Sequence, residues 1–129
     1  MEAQPMTKIV RLKRRAEFLA VAASRRKHVA PGLILQAAHC AGAVVPRVGF
    51  TASKKVGIAV ARNRARRRLR AAAERVIGRH GAPEHDFVLI ARTTTLTRPF
   101  DALLGDLEAA LKKVGAYRAD GGQADRGAS

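Results

Sequence analysis

Six arginines, Arg62, Arg64, Arg66, Arg67, Arg68 and Arg70, crowd nine positions, with only Asn63, Ala65 and Leu69 between them. No carboxylate stands among them. A guanidinium is permanently charged, planar and donor-only, so this spacing suits gripping phosphate oxygens in pairs. Like charges so dense on two turns of helix repel one another unless an anion neutralises them. Just upstream, Ser53-Lys54-Lys55-Val56-Gly57 adds two cations at a tight turn. Asn63 brings an amide able to read a base or ribose edge.

Other chemistries find little support. Asp101 and Asp106 lie five apart on a helical pattern and share no face, so dipole and solvation roles are expected for both. His39 and Cys40 are adjacent on a strand pattern and point oppositely, so they cannot chelate one ion together. His28, His80 and His85 stand singly in loops or at element ends. No carboxylate cluster for Mg²⁺ occurs in the central region, which argues against catalysis by protein side chains.

Charge distribution sharpens the case. The chain has 129 residues, one cysteine and a formal net charge of +15. Between residues 18 and 73 there is no Asp or Glu, against twelve Lys or Arg. A one-signed surface of this kind points to polyphosphate, with nucleic acid ahead of an anionic membrane. The lone Cys40 fits a reducing compartment and rules out an internal disulfide framework. No run approaches the roughly 18 apolar residues of a membrane span. A soluble cytoplasmic protein without an obligate protein partner is expected.

The elements that must position these groups follow from periodicity. Residues 9–13 alternate apolar and basic and are expected to lie extended. Residues 15–24 have a helical pattern, and residues 24–27 break it with charge before a Pro31-Gly32 turn. Residues 33–39 and 47–53 read as strands joined by a hairpin connection over 41–46. On the second strand Val48, Phe50 and Ala52 share one face and Gly49, Thr51 and Ser53 the other. A helix follows over 59–79, with Ala65, Leu69, Ala72, Ala73 and Val76 on one core-facing stripe. Residues 85–92 form a continuous apolar run, the mark of a buried strand. Thr97 is the expected N-cap of a last helix carrying Phe100, Leu103, Leu104, Leu107, Leu111 and Val114. The fold class is α+β, with about four strands in a small mixed sheet packed with three helices. One domain is expected over 9–118, with a flexible segment 1–8 and a disordered tail 119–129.

The segment V-G-F-T-A-S-K-K-V-G-I-A-V-A-R-N-R-A-R-R-R-L-R resembles the signature of the bacterial ribonuclease P protein family. That family carries a strand ending in Ser-Lys-Lys-x-Gly and then an Arg-Asn-x-x-x-Arg helix. Here these are Ser53, Lys54, Lys55, Gly57, Arg62, Asn63, Arg66, Arg67 and Arg70. An upstream Arg-x-x-x-Phe helix, residues 14–18, and the downstream D-F-V-L-I-A-R agree as well. The resemblance covers residues 10–114.

It implies a left-handed β-α-β crossover around the arginine helix, which general packing preferences would not suggest. It implies a ribonucleoprotein in which a large RNA, with its bound Mg²⁺, cuts the 5′ leader from precursor tRNA, the protein alone binding no cofactor. Arg62, Asn63, Arg64, Arg66, Arg67, Arg68 and Arg70 would contact the RNA. Phe18, Phe50, Ser53, Lys54 and Lys55, with Leu33 and Leu35 beside them, would line a cleft for the leader. One departure stands out: Ala22 occupies the place of a second cleft aromatic. A ribosomal-type RNA-binding protein and a DNA-binding module are the alternatives.

Overall fold

The computed structural model describes residues 9–119. The expectations for residues 1–8 and 120–129 lie outside the described residues. Five strands form one mixed sheet: β1 (Val10–Arg11), β2 (Arg26–Val29), β3 (Leu33–His39), β4 (Arg47–Thr51) and β5 (His85–Ala91), in the order β1-β4-β5-β3-β2. The pairs β1/β4 and β4/β5 are parallel, and β5/β3 and β3/β2 antiparallel. The helices are α1 (Arg15–Ala23), α2 (Ala59–His80) and α3 (Phe100–Lys113).

The stripe read from the sequence is the buried one. Ala65, Leu69, Ala72, Ala73 and Val76 of α2 pack with Leu33, Leu35, Phe87 and Leu89 of the sheet and Leu103, Leu107 and Leu111 of α3. The other face carries a smaller cluster, where Leu12, Val21 and Val88 meet Phe18, Ala38 and Ile90 beneath α1. The fold is α+β, as expected, with α2 as the connection between two adjacent parallel strands.

Three expectations need correction. The 41–46 segment joins no hairpin: β5 inserts between β3 and β4 and pairs with both. The reason lies in β5, whose apolar run is buried on both faces and so needs a neighbour on each edge. Residues 26–29, the first two of them read as part of a charged break over 24–27, form an edge strand; its register with β3 runs from Arg26↔Ala37 to Val29↔Ile34. Thr97 does not cap α3. A short 3₁₀ turn, Thr93–Leu96, precedes that helix, Thr97 closes the turn, and Pro99 stands at the helix cap. The Thr95 hydroxyl is buried and donates to the carbonyl of Gly32 at 2.6 Å, tying this corner to the Pro31-Gly32 turn.

Asp106 also departs from expectation. It is buried, accepts from the Gly32 amide at 2.9 Å, and takes both Nε and Nη2 of Arg98 at 2.9 and 3.0 Å. It is a structural acid, not a solvated one.

On the α1 face, Phe18 lies directly over Gly49. A Cβ at Gly49 would stand 2.4 Å from the Phe18 ring. Gly49→Ala is therefore expected to push α1 off the sheet and lower stability by about 1–3 kcal/mol, read by thermal melting. Unchanged melting would mean that this close approach is not needed.

Candidate nucleic-acid interface

The Ser-Lys-Lys-Val-Gly turn owes its shape to local chemistry. The Ser53 hydroxyl accepts from the Lys55 amide at 3.3 Å, capping a 3₁₀ turn over Lys54–Val56. Val56 plugs into the core and leaves Lys54 and Lys55 exposed. Gly57, at φ +146° and ψ −163°, occupies backbone space that only glycine enters readily, and releases the chain into α2. Lys54 and Arg62 then line one shallow hollow with Ile58 and Ala59.

Along α2 the arginines divide by what they touch. Arg62, Arg64, Arg66 and Arg67 have no carboxylate partner among the described residues; Arg64 and Arg67 are exposed and Arg62 and Arg66 half-buried. Arg66 donates to Asn63 Oδ1 at 2.6 Å. Arg70 does have a partner one turn on, Glu74 Oε2 at 3.3 Å, just beyond the arginine cluster. That pair is half exposed on both sides and contributes only a few tenths of a kcal/mol, so an arriving phosphate displaces it readily. Arg68 turns toward α3, donating to the Arg98 carbonyl and lying 5.9 Å from the Phe100 ring centroid. It is a packing residue more than a free cation.

Arg11, Phe50, Asn63, Arg66, Arg67 and Arg70 line one groove of about 250 Å³ between α2 and the sheet edge. Two of these revise the sequence reading. Phe50 was assigned to the cleft with Phe18, yet it packs on the α2 face while Phe18 packs on the other. Leu33 and Leu35 likewise are fully buried beneath α2 and α3 and cannot line a cleft. Alternation gives which residues share a face, but not which helix covers that face. Arg11 was missed. It pairs in register with Val48, and that pairing puts it on the α2 side with Phe50.

The opposite face holds Phe18. By strand register, Thr51, Ile90, Ile34 and Gln36 share this face, all half-buried, with Val29 beyond them 50 % exposed. Ala22 is exposed one turn after Phe18 and offers no ring. Ser53, Lys54 and Lys55 stand just past the end of β4.

An ion-pair network fixes α1 over this surface. Arg47 donates through Nε to Asp86 Oδ1 at 2.8 Å, through Nη2 to Asp86 Oδ2 at 2.6 Å, and through Nη1 to Glu17 Oε2 at 3.1 Å. Asp86 holds the Arg47 pKa well above its usual range. Glu17 also accepts from the amides of Arg14 at 3.2 Å and Lys13 at 3.3 Å, closing the start of α1. The Arg14 amide, chiefly, holds its carboxyl below the ordinary 4.5, against a partial opposing effect of burial. A carboxylate lowered in the folded state stabilises above its unfolded pKa and loses that contribution as pH falls through the folded value. Melting temperature is therefore expected to fall as pH drops below about 4, and Glu17→Gln is expected to flatten part of that acid limb. An acid limb identical in the variant would remove Glu17 from the account.

Among the described residues, no group of three or more His, Cys, Asp or Glu could hold a metal ion. His39 pairs with Glu84 at 3.4 Å, and Cys40 lies 3.6 Å from Arg47 Nη2. No described helix is long and apolar enough to cross a membrane.

The family model described as Ribonuclease P matches residues 6–115. A ribonuclease P protein component of Paramagnetospirillum magneticum is 58% identical over 112 residues, covering 84% of each chain. One from Caulobacter vibrioides is 42% identical over 121 residues, covering 94% of this chain and 81% of that one. An RNase P protein of Staphylococcus aureus superposes with a TM-score of 0.71 at 22% identity, over 86% of this chain and 100% of that one. The Thermotoga maritima RNase P protein gives 0.67 at 22% identity, over 80% and 96%. With the arginine helix, the Ser-Lys-Lys turn and the mixed sheet all in place, the chain belongs to the ribonuclease P protein family.

Proposed function

We propose that the chain binds the catalytic RNA of ribonuclease P through α2 and holds the 5′ leader of precursor tRNA on the α1 face of the sheet. The observation that carries this reading is the set of guanidiniums left without carboxylates on a well-packed helix, Arg64 and Arg67 exposed and Arg62 and Arg66 half-buried. The fold does not use these charges. An RNA backbone supplies the missing counterions, and release of its own condensed cations adds affinity.

The α1 face suits a single strand. Phe18 offers a ring edge above Gly49, the half-buried Ile34, Gln36, Thr51 and Ile90 form a mixed floor, and Lys54 and Lys55 stand where phosphates leave. Because Ala22 cannot stack, electrostatics carries a larger share of leader affinity than two aromatics would leave to it. Binding the leader favours precursor over product, since only the precursor has one.

Phosphodiester hydrolysis needs a metal-activated water and stabilisation of the charge that develops on phosphorus. The described side chains do not fit Mg²⁺: Asp86 and Asp106 are committed to Arg47 and Arg98, and no ligand cluster occurs among the described residues. We assign metal and cleavage to the RNA, the protein screening its charge and so lowering the Mg²⁺ required. The ribosomal and DNA-binding alternatives have no observation in their favour.

The test is reconstitution with the cognate RNA at low Mg²⁺. Phe18→Leu, which keeps the apolar packing, is expected to leave assembly intact and weaken precursor binding about fivefold, with no effect on leaderless tRNA. If removing the leader leaves substrate affinity of the assembled complex unchanged, the cleft assignment is wrong.

A further inference from the structure

We propose that the groove between α2 and the sheet edge is a pocket for one unstacked guanine. The inference rests on the proposed RNA-binding role of α2 and adds a base preference to it. Its lining is Arg11, Phe50, Asn63, Arg66, Arg67 and Arg70. Arginine side chains donate and never accept. Asn63 alone could accept, and one of the two lone pairs on its Oδ1 is occupied by Arg66 Nη2 at 2.6 Å. That bond also fixes the amide orientation, because a guanidinium can face only the oxygen. Asn63 therefore turns its two Nδ2 hydrogens away from Arg66, and the polar side chains of the groove are overwhelmingly donors.

A donor-rich wall selects its guest. The Hoogsteen edge of guanine offers two adjacent acceptors, O6 and N7, which match a guanidinium fork or an Arg–Asn pair. Presented by the same edge, adenine and cytosine each direct an exocyclic amine at these donors and leave it unpaired, which costs affinity. In RNA such edges are open only where bases are unstacked. The Phe50 ring supplies an apolar wall for the base, and about 250 Å³ accommodates one nucleotide but not a base-paired helix edge. Arg67, exposed at the groove, is placed for the flanking phosphate. Arg11 reaches the groove from β1, so the pocket needs the folded sheet edge and not the helix alone.

The experiment titrates the full chain with labelled hexaadenylate and with the same oligomer carrying one central guanine or one central cytosine. The guanine oligomer is expected to bind about tenfold more tightly than either other. Asn63→Asp, which swaps donors for acceptors at nearly constant size, is expected to bring that ratio close to one. Phe50→Leu, which keeps the packing, is expected to reduce it. A ratio near one in the parent chain, with salt-sensitive binding to all three, overturns the guanine pocket and leaves the RNA-binding role standing. Absence of binding to the three oligomers and to the catalytic RNA overturns both.

Discussion

An Arg66→Glu, Arg67→Glu double variant is expected to bind the cognate catalytic RNA at least a hundredfold more weakly at about 0.1 M salt, while melting within a degree or two of the parent. The two halves of that expectation come from one observation. Neither guanidinium has a carboxylate partner among the described residues, and Arg66 hydrogen-bonds to Asn63, its neighbour on the same helix. Removing them takes nothing the fold uses. Reversing them removes two cations and adds two anions facing RNA, so the slope of log affinity against log salt is expected to shrink by about 2 or more. Arg68→Glu supplies the contrast from the next position on the same helix. Its guanidinium is bonded to the Arg98 carbonyl and lies against Phe100, so this change is expected to destabilise the protein first and affect RNA through unfolding. If the double variant keeps parental affinity, the counterion argument for α2 is sunk.

The contrast between Arg66 and Arg68 marks how far the sequence could be read. Both α2 and α3 were legible because an amphipathic helix prints its buried stripe at a fixed spacing. The arginine cluster was legible because six like charges without an interspersed acid have few uses inside a protein. Which of them point to solvent was not, since that depends on where α3 lies. Strand β2 was illegible for a related reason. Its residues are charged or polar except Val29, and its stability comes from pairing with β3 rather than from its own pattern. Likewise Phe50 and Gly49 were correctly put on opposite faces of β4, yet only the packed helices decide that Phe50 joins the arginine groove and Gly49 makes room for Phe18. The buried acids were the least visible. Asp86 and Asp106 look like any surface acid until Arg47, 39 positions away, and Arg98, 8 away, are seen to meet them.

Arg47 is where that invisible pairing has its largest expected consequence. Arg47→Met is expected to cost about 3–5 kcal/mol, the usual result of leaving one member of a buried pair behind. Asp86, only 9% exposed, would lose both of its charge-assisted bonds, and Glu17 would lose its tie to the sheet. At about 4 °C per kcal/mol for a domain of this size, melting falls by more than 10 °C. Removing the stranded charge as well, in Arg47→Met, Asp86→Leu, is expected to recover most of the loss, because an apolar pair of similar volume is often as stable as the ion pair it replaces. What the double variant cannot restore is the bond from β4 to Glu17 at the start of α1. Phe18 is the next residue on that helix. The rescued protein is therefore expected to bind catalytic RNA as the parent does and to lose part of its preference for precursor with a leader over leaderless tRNA. A single variant that melts like the parent would deny the network its structural role. A rescued variant with full leader preference would show that α1 holds Phe18 in place without it.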